Sequence, residues 1–208
     1  MTIDRLYPII DANILAARSV ELAVFARDLR AAGVGMLQYR DKHGSPQKIL
    51  RACVILRDAF SGTTCRLILN DRADLAVLAN FDGVHVGQDD LAPADARRVV
   101  GPHRIVGVST HSDEQARHAN QSCADYIAIG PVFSTATKSD AERPVSLEGV
   151  RRARALTRKP LVAIGGIARA NARSVLDAGA DSVAVISSLF SATESTEQVA
   201  RDFLARLR

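Results

Sequence analysis

The chain has 208 residues, enough for one α/β domain with a sizeable buried core. Apolar residues make up 47% and charged residues 24%, as in an ordinary soluble globular protein; with 4% aromatics and no tryptophan, the core must be built from Ile, Val, Leu and Ala. The net charge of +4 suits an enzyme for phosphorylated substrates, and the nucleic-acid alternative is weak, because the densest basic patch (Arg151, Arg152, Arg154, Arg158, Lys159) contains no aromatic for base stacking.

Cys53, Cys65 and Cys123 are scattered and show no CxxC spacing, which argues against a zinc site or a disulfide framework and for free thiols in the cytoplasm. No apolar run approaches membrane-spanning length. The sequence leaves a homo-oligomer open.

Taken in chain order, short and nearly continuous apolar runs alternate with segments of helical spacing. A strand is predicted over 6–10 and a helix over 20–32, where Leu22, Val24, Phe25, Leu29 and Ala32 recur at helical intervals and Gly33 supplies the stop. The next strand, 36–40, runs into Gln38-Tyr39-Arg40-Asp41-Lys42, and Pro46 opens a helix over 45–60. Strand 66–70 ends at Asn70-Asp71-Arg72, followed by a short helix over 71–80. Strand 83–86 ends at Gly87-Gln88-Asp89-Asp90, before a helix over 93–100 bounded by Pro93 and Gly101-Pro102. Strand 105–109 leads into Ser109-Thr110-His111, and Ser112-Asp113-Glu114-Gln115 starts a helix over 112–122 in the style of a capping box. Strand 126–130 runs into Gly130-Pro131-Val132-Phe133 and the longest irregular stretch, 133–145. A helix over 147–157, a strand over 161–164 ending in Gly165-Gly166, a helix over 171–178, a strand over 182–186 and a helix over 197–207 complete the series.

Strands this apolar are buried on both faces and hence parallel. Eight of them alternating with helices predict one (β/α)8 TIM barrel spanning residues 1–208. A doubly wound sheet for a dinucleotide would need a glycine-rich loop after the first strand, where the sequence reads Asp11-Ala12-Asn13-Ile14. In a barrel all the strand C-termini open on one face, and there the polar residues collect.

Gln38, Arg40 and Lys42 alternate along one strand end and so share a face, an arrangement suited to a diphosphate. The plainer alternative is a surface ion pair with Asp41. Asp71 and Asp90 follow neighbouring strands and could share one Mg²⁺, with substrate oxygens completing its shell; alternatively Asp71 caps the helix behind it. Lys138, with Thr135 and Thr137, lies in the long loop and could close over an anion, or simply be solvated. Gly165-Gly166-Ile167 and Ile186-Ser187-Ser188, after the seventh and eighth strands, form a cup for a monophosphate. His85 reads as a packed barrel residue and His111 as within reach of the site, whereas His43, His103 and His118 read as surface residues; no HExxH or nucleophile elbow occurs. A diphosphate beside Mg²⁺ is usually a leaving group, so the two anion sites together suggest transfer from a diphosphate ester to a phosphorylated acceptor.

At this point the chain resembles the thiamine phosphate synthase family. The resemblance rests on Gln38-Tyr39-Arg40-Asp41-Lys42, Leu69-Asn70-Asp71-Arg72-Ala73-Asp74, Gly83-Val84-His85-Val86-Gly87-Gln88-Asp89-Asp90, Gly107-Val108-Ser109-Thr110-His111, Gly130-Pro131-Val132-Phe133-Ser134-Thr135-Ala136-Thr137-Lys138, Ala163-Ile164-Gly165-Gly166-Ile167 and Val183-Ala184-Val185-Ile186-Ser187, in that order. It implies joining of hydroxymethylpyrimidine diphosphate to thiazole phosphate, with dissociative loss of pyrophosphate. It also implies that Gln38, Arg40, Lys42, Asn70, Ser109 and Lys138 hold the pyrimidine diphosphate, with Arg40, Lys42, Ser109 and Lys138 acting in catalysis. Asp71 and Asp90 would bind Mg²⁺, and Thr135, Thr137, Gly166, Ile186 and Ser187 the thiazole phosphate.

Two features depart from that pattern. Pro8 lacks a ladder donor inside the first strand, which predicts a bulge or a late start, and the loop after Lys138 is unusually charged. The related thiazole tautomerase shares the barrel and cup and places a catalytic histidine at His111, but releases no diphosphate and so needs neither the aspartate pair nor the three cations. A non-catalytic phosphate-binding barrel is the other alternative.

Overall fold

The computed structural model describes residues 2–135 and 143–208. Eight parallel strands close in sequential order into a barrel: β1 (Leu6–Asp11), β2 (Met36–Arg40), β3 (Arg66–Asn70), β4 (Gly83–Val86), β5 (Ile105–Thr110), β6 (Tyr126–Ile129), β7 (Leu161–Ile164) and β8 (Ser182–Val185). Helices surround it: α1 (Ala12–Ala17), α2 (Leu22–Ala32), α3 (Pro46–Ala59), α4 (Ala73–Leu78), α5 (Pro93–Val100), α6 (Asp113–Gln121), α7 (Ser146–Leu156), α8 (Ala172–Asp177) and α9 (Thr196–Arg206). The (β/α)8 expectation is met, with β2, β3, β4, β7 and α5 at the predicted bounds.

Side-chain alternation divides the core in two. Outward-facing Leu37, Leu69, Val84, Val106, Ile127, Ala163 and Val183 pack under the helices. Inward-facing Tyr7, Ile9, Met36, Ile68, Tyr126, Ala128, Val162, Ala184 and Ile186 fill the barrel. Gly107 makes this interior possible: a Cβ there would come within 2.1 Å of the Tyr126 ring, which lies opposite it in register.

The first strand neither bulges nor starts late. Pro8 is in register with Val185. Val183 N–H donates to Arg5 O, so odd-numbered residues of β1 address β8. The donor that Pro8 lacks therefore falls on the β2 side, where the pairing runs from Ile9.

Helix α1 was not anticipated. It follows β1 with no intervening turn, and the Asp11 carboxylate starts it by accepting from Asn13 N–H (3.0 Å) and Ile14 N–H (3.2 Å). Ser19, at φ 52°, separates α1 from α2, which delays the predicted start of the latter. The capping box at Ser112 forms by half: Ser112 Oγ accepts from Gln115 N–H (3.2 Å), but Gln115 Oε1 takes the N–H of His111 (2.7 Å). Among the described residues no helix is long and apolar enough to cross a membrane.

Candidate active site

A cavity of about 580 Å³ opens at the C-terminal ends of the strands. Gln38, Arg40, Lys42, Asn70, Asp90, Ser109, Thr135, Gly166, Ile186 and Ser187 all line it. Sequence positions up to 149 apart thus meet because parallel strands deliver their C-terminal residues to one rim. Thr137 and Lys138 lie outside the described residues. A larger open groove of about 870 Å³ lies at the opposite end, but its Arg154 is engaged by Asp181 (2.8 Å) and by backbone carbonyls, the pattern of a structural network.

At the end of β2 the period-two reading holds. Arg40 forms an ion pair with Asp11, a residue that sequence reasoning passed over although it too stands at a strand end. One carboxylate therefore starts α1 and holds the Arg40 guanidinium, which is 16% exposed. The alternative pairing of the cations with Asp41 does not occur among the described residues: Asp41 accepts from Gly44 N–H (2.7 Å) and lies 3.3 Å from Lys48 Nζ.

Lys42 Nζ stands 2.7 Å from Asp71 Oδ2 and 3.9 Å from Asp90 Oδ2. The two carboxylates thus converge on one cation, the Lys42 ammonium. The capping alternative for Asp71 fails: α4 begins at Ala73, its cap is Arg72, and Asp71 has φ 61°. That left-handed backbone is costly for a non-glycine residue, and such strain concentrates at functional positions. The Asp71 N–H is anchored on His85 O (2.7 Å), the last ladder bond before the chain turns.

The pair is electrostatically uneven. Burial, then the hydrogen bond to Asp90, pushes the Asp71 carboxyl up to about 6. Burial also pushes Asp90 up, but the contact with Asp71, the Gly87 N–H (2.8 Å) and the Lys42 charge outweigh it and hold Asp90 below the usual carboxylate range. As pH falls, Asp71 is therefore the first of the two to take up a proton. No cluster of three or more His, Cys, Asp or Glu that could hold a metal occurs among the described residues. Two carboxylates suit Mg²⁺ that takes its remaining ligands from phosphate and water, the mode this hard cation favours.

Across the cavity, Gly166 has φ 65°, and a Cβ there would lie 2.7 Å from both Phe133 Cβ and Ser134 O. Glycine is thus required twice, by backbone angle and by close approach. Among the described residues no acceptor meets the Gly166 N–H. Ser187–Leu189 forms a 3-10 turn that brings Ile186 and Ser187 to the same wall. His111 lines the cavity and lies 2.6 Å, through Nδ1, from Gly130 O. A carbonyl only accepts, so Nδ1 carries a proton.

The barrel interior beneath the cavity is polar along one path. Gln38 Nε2 donates to Tyr7 Oη (3.1 Å), Tyr7 Oη is 2.9 Å from Tyr126 Oη, and His85 bridges Tyr126 Oη (2.8 Å) to Ser109 Oγ (2.8 Å). The packed, hydrogen-bonded reading of His85 is borne out. Sequence reasoning did not single out Tyr7 or Tyr126; their inward parity on β1 and β6 was the available signal.

The model for thiamine monophosphate synthase matches residues 6–189. The thiamine-phosphate synthase of Koribacter versatilis is 52% identical over 191 residues, covering 91% of this chain and 90% of that protein. That of Chloroflexus aurantiacus is 42% identical, covering 92% and 88%. The thiamine phosphate pyrophosphorylase from Pyrococcus furiosus superposes with a TM-score of 0.87 at 32% identity, over 98% of this chain and 95% of that one. Both the sequence motifs on the strand ends and the barrel that gathers them thus have the same relatives, and the chain belongs to the thiamine monophosphate synthase family.

Proposed function

We propose that this chain is a Mg²⁺-dependent thiamine phosphate synthase, working in the cytoplasm. It is a transferase that moves the hydroxymethylpyrimidine group from its diphosphate to thiazole phosphate. The observation that carries this reading is a single cavity with Arg40, Lys42 and Asp90 on one wall, Asp71 held 2.7 Å from Lys42 behind them, and a glycine–serine cup on the other. Its thiols at Cys53, Cys65 and Cys123 are free, which suits a reducing compartment.

In this reading the diphosphate lies against Arg40 and Lys42, with Gln38, Asn70 and Ser109 around the pyrimidine and Lys138 on the loop side. Asp71 and Asp90 would hold Mg²⁺, which when bound neutralises charge on the diphosphate. The C–O bond to the diphosphate breaks with its electron pair leaving on oxygen, and Arg40, already held by Asp11, meets the growing negative charge without having to be ordered. The thiazole nitrogen lone pair then forms the new C–N bond. Thr135, Thr137, Gly166, Ile186 and Ser187 keep that ring's phosphate in place, so the second step occurs between two positioned partners.

Incubation with both substrates and Mg²⁺ is expected to give thiamine phosphate and pyrophosphate in equal amounts, with neither formed after chelation. Isomerisation of a thiazole carboxylate phosphate that ignores chelator and releases no pyrophosphate would replace this reading with the tautomerase. Binding of both substrates without product would replace it with the non-catalytic barrel.

The uneven carboxylate pair adds a pH signature. Mg²⁺ competes with the proton on Asp71, whose carboxyl sits at about 6. The Mg²⁺ concentration for half-maximal velocity is expected to be flat above pH 7 and to rise steeply, roughly tenfold per unit, below pH 6. A flat dependence down to pH 5 would remove Asp71 from the metal site.

A further inference from the structure

The path from Gln38 to Ser109 has a direction. Each hydroxyl on it has one proton to give. The Gln38 Nε2 amide can only donate, so Tyr7 Oη accepts there and spends its proton on Tyr126 Oη. Tyr126 then spends its own on His85 Nδ1, which must be a bare lone pair. The ring proton therefore sits on Nε2 and is donated to Ser109 Oγ. Ser109 ends the path as an acceptor, and among the described residues nothing takes its proton. At the other end, Gln38 has turned its nitrogen inward and keeps its Oε1 for a ligand.

The intermediate links are closed to solvent: Tyr7 is 1% exposed, Tyr126 0% and His85 7%. Water has little access with which to repair a reversed bond. Burial raises both phenols far above their ordinary range, so each remains a hydroxyl that accepts and donates. Ring packing fixes the geometry, with Tyr7 edge-on to Tyr126 at 6.0 Å and His85 stacked on Tyr126 at 5.4 Å.

We infer that Tyr126 is a positioning residue that couples the two ends of this path: it holds His85 in the Nε2–H form, so that Ser109 presents a donor while Gln38 presents an acceptor to the same ligand ring. The two ends cannot invert separately, because inverting one reverses each bond between them. A site of this kind selects a flat heteroaromatic ring bearing a donor on one side and a lone pair on the other. It rejects the isostere with these interchanged, since a buried polar group would then be left unpaired. For catalysis the inference rests on the proposed function, with the pyrimidine as that ring. The direction of the path itself does not.

The test has two readouts. Nitrogen-15 NMR of histidine-labelled wild-type protein, with His85 assigned by its loss in His85→Asn, is expected to show a neutral ring with its proton on Nε2. Tyr126→Phe keeps the ring contacts and removes the hydroxyl; it is expected to let the tautomer mix and to lower kcat/KM for the pyrimidine diphosphate at least tenfold, with KM for thiazole phosphate within twofold. Tyr7→Phe leaves Tyr126 free to donate to His85, so the tautomer persists and the kinetic loss is smaller than in Tyr126→Phe. A purely structural role would not order the two variants in this way. A wild-type proton on Nδ1, equal losses in both variants, or a Tyr126→Phe enzyme with unchanged kinetics overturns the inference. A wild-type protein that makes no thiamine phosphate overturns the proposed function instead, and the tautomer readout still decides the direction of the path. If Tyr126→Phe does not fold, the wild-type and Tyr7→Phe spectra decide it.

Discussion

Asp71→Asn is expected to lower turnover by about a thousandfold, the scale lost when a group stabilising charge at the reacting centre is removed, and to do so without loss of stability at pH 7.5. The carboxyl at position 71 has moved from 3.8 in an ordinary setting to about 6 in the fold. A raised acid binds its proton more tightly folded than unfolded, so its contribution to stability is lost as pH rises from about 4 and is gone above about 6. At pH 7.5 the wild-type chain bears that whole cost, and the amide, which does not ionise, bears none. The melting temperature of Asp71→Asn at pH 7.5 is therefore expected to equal or exceed that of the wild type. Activity that tracks a lowered melting temperature would make Asp71 a structural residue, and activity that survives would remove it from the site.

The second large effect belongs to the opposite wall. In Gly166→Ala the new methyl group must take a left-handed backbone and push back Phe133 and Ser134, each of which has its nearest atom 2.7 Å from where that methyl would sit. A rise of tenfold or more in KM for thiazole phosphate is expected, together with a stability loss of roughly 1–3 kcal/mol. Gly33→Ala separates the two causes. Gly33 ends α2 at φ 83° with nothing within 4 Å of its added Cβ, so it carries the backbone penalty alone and should leave KM unchanged. Equal KM values for Gly166→Ala and the wild type would end the phosphate-cup reading.

Much of this was legible in the sequence, for identifiable reasons. Parallel strands buried on both faces write themselves as uninterrupted Val, Ile and Leu, and five elements fell at their predicted bounds. Gln38, Arg40 and Lys42 were readable because a strand's period of two needs no tertiary knowledge. What escaped depends on relations between distant segments. The Asp11 partnership with Arg40 crosses from β1 to β2, and α1 depends on the same carboxylate rather than on a stop or start signal of its own. Asp71 looked equally like a helix cap until its backbone angle was seen. Pro8 looked disruptive because the sequence does not say which neighbouring strand each N–H addresses. Tyr7 and Tyr126 are hydrophobic by composition and polar only by virtue of each other.

The ammonium of Lys42, resting between Asp71 and Asp90, bears on how the pocket would take up its ligands. The acidic pair is already partly compensated by the side chain that the proposed reading assigns to the diphosphate. In the proposed reading, a divalent cation bound by the two carboxylates would displace that ammonium toward the phosphates, and the phosphates would draw it off the carboxylates, so each ligand would prepare the place of the other. On that reading, filling the pocket would be an exchange of partners among charges already present, and the metal and the diphosphate would favour each other's binding.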